Sequence, residues 1–157
     1  MIDFAKLREP FPEADIEWRI QQSGVTPKGP YAMVLAYVTN RAIMERLDDV
    51  VGPENWQNAF EAGPGGGVLC GLYIKVENTW VVKWDGAENT DIESIKGGLS
   101  GSMKRAAVQW GIGRYLYNLE ATFAKIGETG RYRAKIGDKA VRWSPPPLPA
   151  WALPKGG

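Results

Sequence analysis

The sequence predicts an α+β fold: an antiparallel β-sheet meander packed on a long α-helix, followed by a C-terminal basic β-hairpin. Three observations carry this. Strand-type stretches run from Trp56 to Ala62, Val68 to Val76 and Trp80 to Asp85, joined by short turns at Gly63 to Gly67 and Glu77 to Thr79. A helical period then extends from near Asp91 to about Leu119. Finally, Arg131 to Ile136 and Lys139 to Trp143 flank Gly137-Asp138, a dipeptide suited to a hairpin turn.

The other elements follow in order. Residues 1 to 15 mix charge with Pro10 and Pro12 and read as an arm or short lead-in helix. Ile16, Trp18 and Ile20 lie on one face of a half-buried strand ending near Gln22. Gly24, Pro27, Gly29 and Pro30 mark a turn before a second strand, Tyr31 to Val38. Thr39 or Asn40 can cap a helix in which Ile43, Leu47, Val50 and Val51 recur at helical spacing, and Gly52-Pro53 stops it. In the long helix, Leu99, Met103, Ala106, Ala107, Trp110 and Tyr117 fall on one face, with Val108, Ile112, Tyr115 and Leu116 opposite. One face packs on the sheet; the other meets more of the chain or a neighbouring subunit. Gly111 and Gly113 each lower helix propensity by roughly 1 kcal/mol, which favours a break or a close approach there.

After Trp143 the chain reads Ser-Pro-Pro-Pro-Leu-Pro, which is stiff and extended. The organisation expected is therefore one domain over residues 1–143 and a Pro-rich linker or tail over 144–157. The chain ends Pro-Lys-Gly-Gly without closing an element, so the natural protein is expected to continue.

Composition removes many function classes. The chain has 157 residues, 44% hydrophobic and 24% charged, enough for a sizeable core. No apolar run approaches the ~18 residues of a membrane span, and no signal-peptide pattern is present. The single cysteine, Cys70, excludes an internal disulfide and fits a reducing cytoplasm. The absence of histidine excludes Ser-His and Cys-His catalysis and imidazole metal sites. A net charge of +1 hides an asymmetry: residues 1–95 carry 8 Lys/Arg against 15 Asp/Glu, and residues 96–157 carry 11 against 3. The basic part suits a polyanion, or the acidic part of a neighbouring copy.

Residues 102–118 are the most informative stretch. Lys104 and Arg105 stand at the entrance to an almost wholly apolar run, and such a run is normally buried. Two adjacent cations there call for an anion, and phosphates of a nucleic acid supply one. The bland alternative is a solvated turn with surface ion pairs. Arg41 opens the earlier helix, where the alternative is a pair with Glu45. Lys96 precedes Lys104 by two turns. In the hairpin, Arg131, Arg133, Lys135 and Arg142 share one face, with Arg133 opposite Arg142. Like charges so opposed repel, and a bound polyanion or nearby carboxylates would relieve them. Among the rings, Trp18, Trp56 and Trp110 read as core, while Tyr115 and Trp143 are candidates for base stacking.

Asp85, Glu88, Asp91 and Glu93 cluster in sequence, and carboxylates can hold magnesium or manganese for phosphodiester cleavage. That is the enzyme alternative, although acids from one loop also serve as caps or charge partners. Gly63 to Gly67 lacks the Lys-Ser/Thr sequel of a phosphate-binding loop and reads as a turn.

Four pieces in order resemble the Rad52/Rad22 family of single-strand annealing proteins. They are the aromatic strand Ile16 to Gln22; Tyr37-Val38-Thr39-Asn40-Arg41 leading to Val51-Gly52-Pro53-Glu54-Asn55-Trp56; Lys83-Trp84-Asp85-Gly86-Ala87-Glu88; and Met103-Lys104-Arg105-Ala106 with Trp110-Gly111. Within the family the pattern is nearest a bacterial DNA-damage-response branch that binds single-strand ends. The resemblance implies a sheet on a long helix, assembly into a ring or helical homo-oligomer, and single-stranded DNA in a basic groove. It places Lys104, Arg105, Lys96 and Arg41 in that groove. Val108 stands where eukaryotic relatives carry a further arginine, which makes the groove less basic. The hairpin lies beyond the matched part.

The expected function is non-enzymatic single-stranded DNA binding in repair or recombination, protecting 3′ ends from exonucleases and annealing strands without ATP, cofactor or metal. The expected setting is a bacterial or phage cytoplasm, at the nucleoid, with repair partners recruited through a C-terminal extension. The alternatives are the metal-dependent nuclease above and a module that docks an acidic protein partner.

Overall fold

A computed structural model describes residues 1–88 and 94–155. The chain divides into two compact units: Met1–Phe11 with Val38–Tyr115, and Pro12–Tyr37 with Leu116–Gly157.

In the first unit, a helical turn α1 (Phe4–Leu7) is followed later by α2 (Asn40–Val50). The Thr39 hydroxyl accepts the Ala42 N–H at 3.2 Å and caps α2. Ile43 and Leu47 are fully buried. At the other end Gly52 takes φ +93° and its N–H reaches the Asp48 carbonyl at 3.1 Å, a left-handed stop that glycine adopts without strain. The lead-in arm is fastened to α2. Arg46 donates to the carbonyls of Lys6, Leu7 and Glu9, and its guanidinium lies 3.9 Å from the Phe11 ring centre.

Strands β3 (Trp56–Ala62), β4 (Val68–Val76) and β5 (Thr79–Ala87) form the antiparallel meander in the order β3-β4-β5. Asn58 lies opposite Leu72, and Leu72 opposite Lys83. That register puts Cys70, Leu72 and Ile74, all 0% exposed, on one face. Helix α3 (Ser94–Gln109) covers the face with Met103, Ala106, Ala107 and the adjoining Trp110. The Trp110 indole donates to the Leu72 carbonyl at 3.0 Å, and the Asn58 amide contacts the Met103 sulfur at 3.4 Å.

The helix is shorter than its apolar period. It ends at Gln109, and Arg114–Asn118 form a 3-10 turn. Gly111 at φ +95° is the cause. Its N–H bonds to the Val108 carbonyl at 2.9 Å, and the Ile112 N–H to the Ala107 carbonyl at 3.1 Å, the paired bonds of a Schellman stop. This corrects the expected two-faced helix. Ile112 is 0% exposed and belongs to the interior of this chain, while Tyr117, expected on the sheet-packing face, is 68% exposed. A Cβ at Gly111 would lie 2.5 Å from Arg8 Cγ as well as straining the backbone. Gly111→Ala is therefore expected to cost about 1–2 kcal/mol, read as a lower urea midpoint at unchanged m-value.

In the second unit, β1 (Ile16–Thr26), β2 (Gly29–Val38) and β6 (Thr122–Phe123) form one sheet in the order β1-β2-β6. A second sheet has the order β7-β9-β8, from β7 (Lys125–Ile126), β8 (Tyr132–Ile136) and β9 (Lys139–Ser144). Its inner face stacks Tyr132 on Trp143 with ring centres 4.4 Å apart. The Tyr132 hydroxyl donates to Glu17 Oε2 at 3.0 Å. Burial and the Glu17 carboxylate raise the tyrosine's pKa. In the proline segment Leu148 and Ala152 are buried.

Candidate nucleic-acid interface

The strongest constellation lies along the seam between α3 and β5. Arg105 is exposed on α3, and its Nε stands 3.3 Å from Asp85 Oδ1. Gln109, one turn further on, donates to Asp85 Oδ2 at 3.1 Å and to the Trp84 carbonyl at 2.5 Å. The Gly86 N–H supplies a further bond to Asp85 Oδ1 at 2.8 Å. Lys83 shares the face of β5 with Asp85, and its ammonium lies 5.2 Å from the Trp110 ring centre. Lys104 is half-buried beside Arg105.

Asp85 sets the electrostatics of this seam. Burial alone would raise its pKa, but bonds from Gln109, the Gly86 N–H and Arg105, with the arginine's charge, outweigh it and hold the carboxyl below its ordinary value. A carboxylate depressed in this way stabilises the fold above its unfolded pKa of about 3.9, and that contribution disappears as pH falls through the folded value. Because both partners reach solvent, with side chains 55% and 29% exposed, the pair contributes only about 0–1 kcal/mol. Its main consequence is positional: it fixes the Arg105 guanidinium at the sheet edge.

Arg41 is exposed in the first turn of α2, which packs on α3. Among the described residues it forms no ion pair with Glu45. A helix N-terminus disfavours a cation, so helix stability does not explain this one. Lys96 lies within α3, but its side chain is outside the described residues. Lys104, Arg105 and Arg41 thus sit on two packed helices of one unit.

Arg131, Arg133, Lys135 and Arg142 belong to the other unit. Arg133 is directly opposite Arg142, and Lys135 opposite Ala140. Arg131 precedes β8, lies 3.6 Å from Glu17 and 4.9 Å from the Tyr132 ring centre. Arg142 Nε donates to the Gly130 carbonyl at 2.9 Å.

Both stacking candidates are at least partly covered. Trp143 is 3% exposed and covered by Tyr132. Tyr115 is half-buried, and its hydroxyl accepts the Phe11 N–H at 2.9 Å. The acidic cluster divides: Asp85 is engaged as described and Glu88 is exposed, while Asp91 and Glu93 lie outside the described residues. Among the described residues, no group of acidic or sulfur side chains is arranged to hold a metal ion.

Sequence reasoning does not single out Gln109 or Lys83. Both carry a signal: Gln109 is four residues after Arg105 on one helix face, and Lys83 two residues before Asp85 on one strand face.

A basic helix packed on an antiparallel meander, with α2 beside it, defines a class that comparison with known proteins identifies. Residues 4–64 and 71–134 match the family model described as Rad52/22 family double-strand break repair protein. The chain belongs to that family. Two relatives, from Deinococcus deserti and Deinococcus radiodurans, both carry the name single-stranded DNA-binding protein DdrA. The first is 32% identical over 155 residues, covering 95% of this chain and 69% of the relative. The second is 32% identical over 151 residues, covering 95% of this chain and 66% of the relative. No solved structure matches the chain.

Proposed function

We propose that this chain binds single-stranded DNA in DNA repair, protecting strand ends and promoting annealing, without catalysing a covalent step. The observation that carries the reading is the pair Lys104 and Arg105 on α3, in a member of a strand-break repair family whose DdrA relatives are named for single-stranded DNA binding. Lys104, Arg105, Arg41 and Lys96 hold the backbone phosphates. Such binding is independent of sequence and leaves the bases free to pair, so annealing needs neither ATP nor a metal. Copies of the chain assemble side by side along the strand, as a ring or helical arc, at the bacterial nucleoid. Among the described residues no helix is long and apolar enough to cross a membrane.

Fluorescence anisotropy with labelled single strands and duplexes of both end polarities, across a salt series without metal, tests the reading. Salt-sensitive binding that favours single strands is expected. Equal affinity for both forms at every salt concentration, or none at low salt, would refute it.

Asp85 competes with phosphate for Arg105. Asp85→Asn removes the competing charge while keeping an acceptor for Gln109 and the Gly86 N–H. Its single-strand affinity is expected to rise about two- to fivefold, the scale of an exposed ion pair. Unchanged or weaker binding would mean that Arg105 does not meet the strand.

A further inference from the structure

The unit that holds the β1-β2-β6 sheet contains a cavity of about 330 Å³. Trp18 of β1 and Leu35 of β2 line it, together with Leu119 and the proline segment as far as Trp151. That segment is fastened through the buried Leu148 and Ala152, and its proline rings fix the backbone, so this wall is preformed. Trp151 is 52% exposed, which leaves an indole at the cavity open to solvent. The polar side chains lining the cavity are Asn118, Glu120 and Thr122. Asn118 and Glu120 are exposed, and neither has a hydrogen-bond or ion-pair partner among the described residues. Among the described residues, no lysine or arginine lines the cavity.

We infer that this cavity takes one unstacked nucleobase of a bound single strand, an amino-bearing base in preference to thymine. The inference rests on the proposed single-strand binding and adds a base contact to it. Three physical points support it. First, the volume lies at the small end of the ~300–1,000 Å³ typical of small-ligand sites, which suits one planar ring system better than a folded segment. Second, Trp18 and Trp151 offer indole faces, and a base released from its own stack gains by stacking on an aromatic ring. Third, the charge selects the part of the strand. Phosphates need cations, and here Glu120 repels them instead. A carboxylate accepts hydrogen bonds from an amino group such as cytosine N4, and an asparagine amide pairs with adenine through N6 and N7. Thymine carries a carbonyl on each side of its ring N–H, and these oppose a carboxylate. One base held per copy leaves the neighbouring bases free to pair.

The test measures the anisotropy of labelled oligodeoxycytidine and oligodeoxythymidine of equal length at matched salt. It compares wild type with Asn118→Ala/Glu120→Ala, Trp151→Ala, Trp151→Phe and Lys104→Ala/Arg105→Ala, with circular dichroism confirming each fold. Wild type is expected to bind the cytosine strand about fivefold more tightly, the scale of one base contact. The Asn118/Glu120 variant is expected to bring the two affinities together. Trp151→Ala should weaken the cytosine strand by about fivefold or more, and Trp151→Phe, which keeps a stacking ring, should restore most of that loss. A strand carrying 5-iodocytosine, irradiated on wild type, should crosslink to Trp18 or Trp151. Equal affinity of wild type for the two strands overturns the inference. So does a cytosine preference that survives in the Asn118/Glu120 variant, or a crosslink confined to other residues; an apolar peptide of a partner then becomes the cavity's ligand. Equal binding of both strands by wild type, lost in the Lys104/Arg105 variant, removes this inference and leaves the proposed function standing. Wild type that binds neither strand overturns both.

Discussion

Lys104→Ala combined with Arg105→Ala is expected to weaken single-strand binding by roughly thirtyfold, at about 1 kcal/mol for each of the two phosphates that the variant no longer holds. The salt dependence should change as well. Each phosphate neutralised contributes ~0.7 to the slope of log K against log salt for single strands, so the slope should flatten by ~1.4. These two readouts separate the groove reading from a folding defect, because a partly unfolded sample lowers the active fraction without altering the slope. Arg105 is exposed and Lys104 half-buried at the edge of α3, and neither belongs to the core, so the unfolding midpoint should stay near wild type. Arg41→Ala should produce a smaller loss in the same direction. A double variant that binds as wild type does at matched salt would remove the α3 seam from the interface and leave the hairpin face as the remaining candidate.

Much of the fold is legible because its signals are local. The strands Trp56–Ala62 and Val68–Val76 have the bounds their alternation predicts, and Arg133 meets Arg142 as the Gly137-Asp138 turn requires. Thr39 caps α2 because a hydroxyl there can accept an orphan N–H. The periodicity overstates the length of α3 for an equally physical reason. Hydrophobic period continues through Ile112 and Tyr115, but it reports burial rather than backbone conformation. The positive φ of Gly111 turns the chain while keeping Ile112 inside.

The candidate site is legible in its charges and not in its partners. Lys104 and Arg105 are visible as cations in an apolar context, whereas the Asp85 carboxylate that holds Arg105 comes from a strand some twenty residues away. That pairing follows from how α3 lies on the meander, which no spacing in the sequence specifies. Trp143 is not the open stacking ring the sequence suggests, because period-2 alternation gives two faces without saying which is covered. The stacking of Tyr132 decides it.

Trp110→Ala is expected to have the largest effect on stability, about 3–5 kcal/mol, because it empties the junction between α3 and the sheet. The indole is 8% exposed and stacks on Phe4 with ring centres 6.3 Å apart. It also donates its N–H to the Leu72 carbonyl at 3.0 Å. Trp110→Phe keeps an aromatic ring and removes the donor, so it should cost less, about 1–2 kcal/mol. Urea denaturation of both variants separates volume from hydrogen bonding, and midpoints of the two within error would refute a packing role for the ring. A domain of this size has about 5–15 kcal/mol of stability in total, so the alanine variant should be substantially destabilised and is best measured at low temperature. The same residue links stability to binding. Trp110 sits beside Lys83 at the seam and adjoins the helix stop, so its loss frees the end of α3 that carries Gln109. The phenylalanine variant, still folded, should bind single strands close to wild type, because Lys104 and Arg105 stand on the helix upstream of the change.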